Sequence, residues 1–147
     1  MNLIPTDEYV QIIKVLPILC VDVVIQNSMG EYLLVKRANE PLKGKWWVIG
    51  GRVIKGETLE KAAIRKVMEE VGLKVNFVKP IGYYEVTFKT NPFKLSISLH
   101  SVSVVFSTVI EDGQQIKLDC QSSDWQYSNE LPVDFCIKSF QPYRYAP

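Results

Sequence analysis

Cysteine is scarce and lacks a paired spacing: Cys20, Cys120 and Cys136 are odd in number and form no CxxC motif. That disfavours a disulfide framework or a structural zinc site and leaves buried, reduced thiols as the simpler expectation. An excess of either charge is missing too. Seventeen basic and sixteen acidic side chains leave a net charge of +1, so no overall field recruits nucleic acid or an acidic membrane. Any anion selectivity must be local. No long apolar run is present either: IIKVLPILCVDVVI is broken by Lys14, Pro17 and Asp22, short of the ~20 apolar residues of a membrane span. It also lacks the small-residue exit of a cleavable leader, which points to a cytoplasmic protein. Repeats and low-complexity segments are absent.

What remains is chain for one core. A length of 147 residues buries roughly 70% of its unfolded surface, enough for one domain over residues 1–147 and too little for two. TDEYVQIIKVL has Thr6 as a candidate N-cap and apolar residues at 9, 10, 12, 13 and 16, the pattern of a short amphipathic helix or an N-terminal arm that Pro17 ends. ILCVDVVIQ and EYLLVKR flank NSMG and read as a β-hairpin. Asp22 interrupts the first of these strands. It is either a strand-surface residue or a site residue facing a polar cleft, because an unpartnered acid is expensive to bury.

PLKGKWWVIGGRVIKGE is glycine-rich and reads as a loop with a short strand. It leads into a helix from Thr58 to Val71, with Thr58 as N-cap, Glu60 at the positive end and Gly72 as a left-handed stop. Leu59, Ala62, Ala63, Val67 and Val71 form its buried stripe. KVNFV, IGYYEVTFK, KLSISLHSVSVVFSTVIE and WQYS are strand candidates, DCQSSD is a polar loop, and ELPVDFCIKSF is a last helix with Pro132 in its first turn. In the longest run the apolar phase slips near His100, which calls for a bulge or bend. Strands mixed with helices argue an α+β fold, a mixed sheet in an α/β/α sandwich.

The chemistry gathers around AIRKVMEEVG, residues 63–72. Arg65 with Glu69 and Lys66 with Glu70 are four apart, and the plain reading is a pair of surface ion pairs. The other reading is half of a metal site: Glu69 and Glu70 on the exposed side of the helix, joined by a backbone carbonyl from the glycine-rich turn. Such hard oxygen donors suit magnesium or manganese bridging to substrate phosphates. Glu57 can reach Arg65 if its loop folds back along the helix.

Extended to GGRVIKGETLEKAAIRKVMEEVGL, the stretch resembles the box of the Nudix family. That box is a glycine, five residues, Glu, seven residues, Arg-Glu, an aliphatic, any residue, Glu-Glu, any residue, Gly and an aliphatic. Gly51, Glu57, Arg65, Val67, Glu69, Glu70, Gly72 and Leu73 match it, and only the acid after the arginine is replaced, by Lys66. The resemblance implies a mixed sheet between helices and divalent-cation-dependent cleavage of nucleoside diphosphates linked to another moiety. It implies the Gly50 carbonyl, Glu69 and Glu70 as metal ligands, with Glu57 and Arg65 orienting the box. Lys66 stands where many members keep a metal-binding or proton-accepting glutamate, which weakens a mechanism of water attack on phosphorus.

Within the family, the chain is similar to GDP-mannose mannosyl hydrolases over residues 18–60 and more loosely through Trp125. There, water attacks the anomeric carbon and the nucleoside diphosphate leaves whole. That similarity assigns Asp22 to substrate, Arg37 and Arg52 to the diphosphate, Gln121 to the metal and His100 to substrate or charge stabilisation. It also implies a homodimer, which the N-terminal segment suits. The histidine that serves as base in that group is Ser122 here, so Asp124 is the expected proton acceptor. Tyr83 and Tyr84 are candidates to flank a nucleobase, whereas Trp46 and Trp47 are expected to pack under the loop. The expected activity is hydrolysis of a nucleoside-diphosphate sugar such as a GDP-mannose-like compound. The alternatives are attack on phosphorus in another nucleotide, or a non-catalytic nucleotide-sugar sensor.

Overall fold

A computed structural model describes residues 4–140. In chain order the elements are α1 (Thr6–Val15), β1 (Ile18–Gln26), β2 (Tyr32–Arg37), β3 (Trp46–Trp47), β4 (Ile49–Arg52), α2 (Leu59–Val71), β5 (Lys79–Phe88), β6 (Leu99–Val109), β7 (Ser122–Ser128) and β8 (Lys138–Ser139). Strand β1 organises the sheet because its central residues, Val21 to Ile25, are buried on both faces. It runs parallel to β6 from Ile18 opposite Ser101 to Gln26 opposite Val109. On its other edge it meets β2 only at Gln26 opposite Tyr32, then takes β4 in antiparallel register, Asp22 opposite Gly50. The expected hairpin therefore forms at its turn and then opens. The freed β2 pairs with β3 and β7, while β6 carries β5 and β8.

The two faces of the sheet hold different layers, since alternate strand residues point to opposite sides. Val21, Val23, Ile25, Ile49 and Phe106 pack with Ala62, Ala63, Val67 and Val71 of α2. On the opposite face Val24, Leu34, Trp47, Tyr84, Val105 and Phe135 cluster, and further along Leu99 packs with Tyr9 and Ile13 of α1. Helices thus lie on both sides of a mixed sheet, as the sequence suggests. Among the described residues no helix is long and apolar enough to cross a membrane.

Helix α2 has the ends its sequence predicts. The Thr58 hydroxyl accepts from the Lys61 N–H, and Gly72 closes the helix at φ 68°, a conformation a side chain disfavours. Helix α1 differs in detail: Thr6 is its first residue, and no side chain caps it.

Four segments depart from the sequence expectations. KVNFV is not a strand; pairing begins at Lys79. KLSIS is a loop held by buried Asn91, whose amide donates to the Leu95 and Ile97 carbonyls, so β6 starts only at Leu99. The phase slip marks that boundary, and the irregularity lies instead on the partner strand, between Pro80 and Gly82. The polar loop ends early, with Ser122, Ser123 and Asp124 already in β7. The last helix does not form: Phe135 donates its N–H to Pro132 in a turn and packs against Trp47 and Tyr84, and Lys138–Ser139 adds a short strand. Burial of one aromatic in a sheet-face cluster outweighed the helical pattern of that segment. The cysteines are free, but Cys120 and Cys136 are exposed rather than buried.

Candidate active site

Arg65 knits the box together. Its Nε and Nη2 donate to the two Glu57 oxygens at 3.0 and 2.6 Å, its Nη1 donates to Glu69 at 3.0 Å, and Nη2 also reaches the Arg52 carbonyl at 3.0 Å. Glu57 accepts from the Ile54 N–H as well, and the hydrogen bonds from Arg65 hold its carboxyl below the usual range. A fork-to-fork pair of this kind fixes geometry and leaves neither partner free to react. Glu57 and Arg65 thus tie the approach loop to α2.

One turn on, Lys66 and Glu70 correct the reading of this helix as a solvated face with its acids outside. Both are buried, and the Lys66 ammonium lies 2.8 Å from Glu70 and 3.4 Å from Glu69. The cause is long-range. Residues 117–119 fold over the end of α2, where the Lys117 and Asp119 N–H groups donate to the Val71 and Glu70 carbonyls left open by the helix terminus. Burial pushes the Glu70 carboxyl up to about 7, against the pull of Lys66 and with a push from the Asp119 charge. The Lys66 stem lies across Gly51, where a Cβ would stand 2.7 Å from Lys66 Cε.

Asp22 is a buried residue facing inward. It accepts from the Tyr84 hydroxyl at 2.9 Å, and burial raises its pKa while hydrogen bonds from Ser103 and Tyr84 and the charge of Arg37 oppose the rise. The carboxylate fills the space a side chain on Gly50 would need. Next to it, burial and the Asp22 charge push the Cys20 thiol up to about 12, although Arg52, Lys66 and Arg37 all act to lower it. That shift disfavours the thiolate form of Cys20. Arg52 lies over the Tyr9 ring at 4.4 Å, and Arg37 donates to the Pro41 carbonyl at 2.8 Å.

The remaining expected residues divide. The Gln121 carbonyl accepts from the Ala38 N–H, and its side-chain amide donates to Asp119 at 2.9 Å, which keeps both near the Glu70 end of α2. Asp124 sits in β7 opposite Lys36 and accepts the Trp125 N–H. His100 is exposed at the start of β6, opposite Thr87. Tyr83 points away from Asp22 and stacks with Phe140 at 6.0 Å. One group was given another role at the sequence level and one was missed. Tyr84 rather than Tyr83 faces Asp22, which strand parity could have assigned once Tyr84 was set opposite Ser103. Asp119 had no local signal. Trp47 is packed and buried, as expected. The surface grooves of the fold, about 380 Å³ beside α1 and about 700 Å³ around Phe77 and Lys79, contain none of Asp22, Glu69 and Glu70.

The NUDIX domain family model matches residues 16–134. The chain belongs to the Nudix family. Its Nudix relatives include the low-salt glycan biosynthesis protein Agl8 of Haloferax volcanii, 36% identical over 120 residues that span 82% of this chain and 76% of that one. The ADP-ribose pyrophosphatase of Methanocaldococcus jannaschii is 32% identical over 117 residues, 79% of this chain and 65% of that protein. A MutT NUDIX hydrolase from Burkholderia pseudomallei superposes with a TM-score of 0.64 at 20% identity, covering 80% of this chain and 92% of that one, and shows the same fold. The protein is thus a Nudix hydrolase.

Nudix hydrolases generally use a divalent cation. The donors here fit one in chemistry: two carboxylates, a carbonyl on a side-chain-free residue wedged against Asp22, and the charge of Asp119 beside Glu70. Among the described residues no three His, Cys, Asp or Glu side chains converge into a ready cage, so water and substrate oxygens would complete the shell.

Proposed function

We propose that the enzyme hydrolyses a nucleoside-diphosphate sugar of the GDP-mannose type with magnesium or manganese. Water attacks the anomeric carbon, the carbon–oxygen bond to phosphate breaks, and the nucleoside diphosphate leaves whole. The observation that carries this reading is the buried Lys66 ammonium 2.8 Å from Glu70 and 3.4 Å from Glu69, its stem lying across Gly51, the residue before Arg52 in β4. Arg37, Arg52 and Lys66 are the cations that would oppose the charge gathering on a departing diphosphate, and cationic donors fixed in place stabilise such charge as it develops. A divalent cation held by Glu69, Glu70 and the Gly50 carbonyl would supply Lewis-acid polarisation. Asp22, held by Tyr84 and set opposite Gly50, is the carboxylate this reading assigns to the substrate. The glycan-biosynthesis role in the name of the Haloferax relative supports a sugar nucleotide. Free thiols, two of them exposed, support a cytoplasmic setting.

The proton from water goes to Asp119 in this reading, rather than to Asp124. Asp119 is half-buried at the Glu70 end of α2, where the Gln121 N–H and side-chain amide donate to its oxygens, while Asp124 is exposed in β7. Loss of a general base costs about 10²-fold or more in rate, so Asp119→Asn should lower kcat by that factor and Asp124→Asn should leave it within about threefold. The reverse order would return the role to Asp124.

The second reading is attack on phosphorus, favoured by the ADP-ribose pyrophosphatase relative. Turnover in oxygen-18 water separates the two. Label in the free sugar is expected, whereas label in a phosphate product would establish the second. Binding of sugar nucleotide with no product at high enzyme concentration would contradict both.

A further inference from the structure

The geometry points to Lys66 as an internal competitor for the divalent cation, holding Glu70 until a diphosphate arrives to take over its charge. This rests on the reading of Glu69 and Glu70 as the cation's ligands. The ammonium lies 2.8 Å from one Glu70 oxygen and 3.4 Å from a Glu69 oxygen, and the side chain is 8% exposed. Its stem lies across the Gly51 turn so closely that a Cβ on Gly51 would come within 3.3 Å of the ammonium nitrogen. The ammonium is thereby placed between the Gly51 turn and the two carboxylates. The carboxylate it neutralises is the one that burial makes costly to ionise alone.

A dication settling on the same oxygens would face this ammonium at a few ångströms in a half-dry recess, where like charges repel strongly. The repulsion is relieved by an anion that touches both. A diphosphate satisfies that requirement, with Arg52 next in β4 to Gly51, across which the Lys66 stem lies. Cation and diphosphate therefore favour each other's binding, and the coupling is reciprocal. A glutamate at position 66 would draw the cation in ahead of the nucleotide. Lysine makes loading wait for it.

The test measures free manganese by electron paramagnetic resonance, with and without methylenediphosphonate as a non-hydrolysable diphosphate. Wild-type protein is expected to bind manganese at least about tenfold more tightly when the diphosphonate is present. Lys66→Gln is expected to bind manganese about tenfold more tightly than wild type without it. With diphosphonate, the variant should gain only what direct chelation measured in buffer explains. Equal manganese affinity of wild type and Lys66→Gln without diphosphonate overturns the proposal, as does an undiminished gain in the variant. Wild-type protein decides it even if the variant fails to fold: manganese bound equally well with and without diphosphonate overturns it. No manganese bound by wild type under either condition removes the ligand reading as well, which distinguishes the two failures.

Discussion

Glu70→Gln is expected to lower kcat by about 10²- to 10³-fold, the scale of losing one preorganised group that supports the developing charge. Stability should fall as well. The amide still accepts a hydrogen bond from Lys66, but a buried ammonium loses its anionic partner at 2.8 Å and keeps only Glu69 at 3.4 Å. Removing one partner of a buried pair while leaving a hydrogen-bonding replacement costs roughly 1–3 kcal/mol. The pH dependence separates this from generic damage. The Glu70 carboxyl titrates at about 7 in the folded protein and near its ordinary 4.5 when unfolded. Between those values the folded state binds more protons than the unfolded state, so stability falls as pH rises through that window and levels off above it. Urea midpoints at pH 5 and pH 8 should show that decline in the wild type and a flatter profile in Glu70→Gln. Adding magnesium together with methylenediphosphonate at pH 8 should stabilise the wild type more than the variant, because the cation needs the ionised carboxylate. A variant with unchanged kcat and the same pH profile would remove Glu70 from the site.

What the sequence disclosed and what it hid divide by the range of the interactions involved. Thr58 and Gly72 were legible because capping and a left-handed stop depend on a few neighbouring residues. The Glu57–Arg65 pair was legible because helical spacing and one loop return suffice to bring them together. The burial of Glu70 was hidden. It depends on residues 117–119 crossing the end of α2, about fifty positions later in the chain, and no helical pattern encodes that. Asp119 was overlooked for the same reason. Tyr84 was hidden by parity: of two adjacent tyrosines only the one opposite Ser103 turns toward Asp22, and the register is set by β6 rather than by β5 itself. The segment after Asn129 shows the converse error, a good local helix pattern overruled when Phe135 enters the Trp47 and Tyr84 cluster.

Gly50→Ala is expected to cost about 3 kcal/mol of stability, the upper end of ordinary overpacking, and about 10²-fold in kcat/KM, the scale of a misplaced site. A Cβ at this position would overlap the Asp22 carboxylate and lie 2.5 Å from the Val21 carbonyl. Neither obstacle can simply rotate away. Asp22 is fixed by the Tyr84 hydroxyl, and the Val21 carbonyl belongs to the central strand. Relief therefore requires β4 to move off β1, and that displacement carries the Gly50 carbonyl and Gly51 with it. Two controls isolate the effect. Gly44→Ala meets nothing within 4 Å and strains only a backbone at φ +78°, so it should cost about 1 kcal/mol with no loss of rate. Gly51→Ala presses on the flexible Lys66 side chain rather than on backbone, so it should disturb cation binding more than thermal stability. Thermal midpoints and kcat/KM measured together decide the matter: if Gly50→Ala behaves like Gly44→Ala in both, the wedge of Asp22 against β4 does not set the geometry of the site.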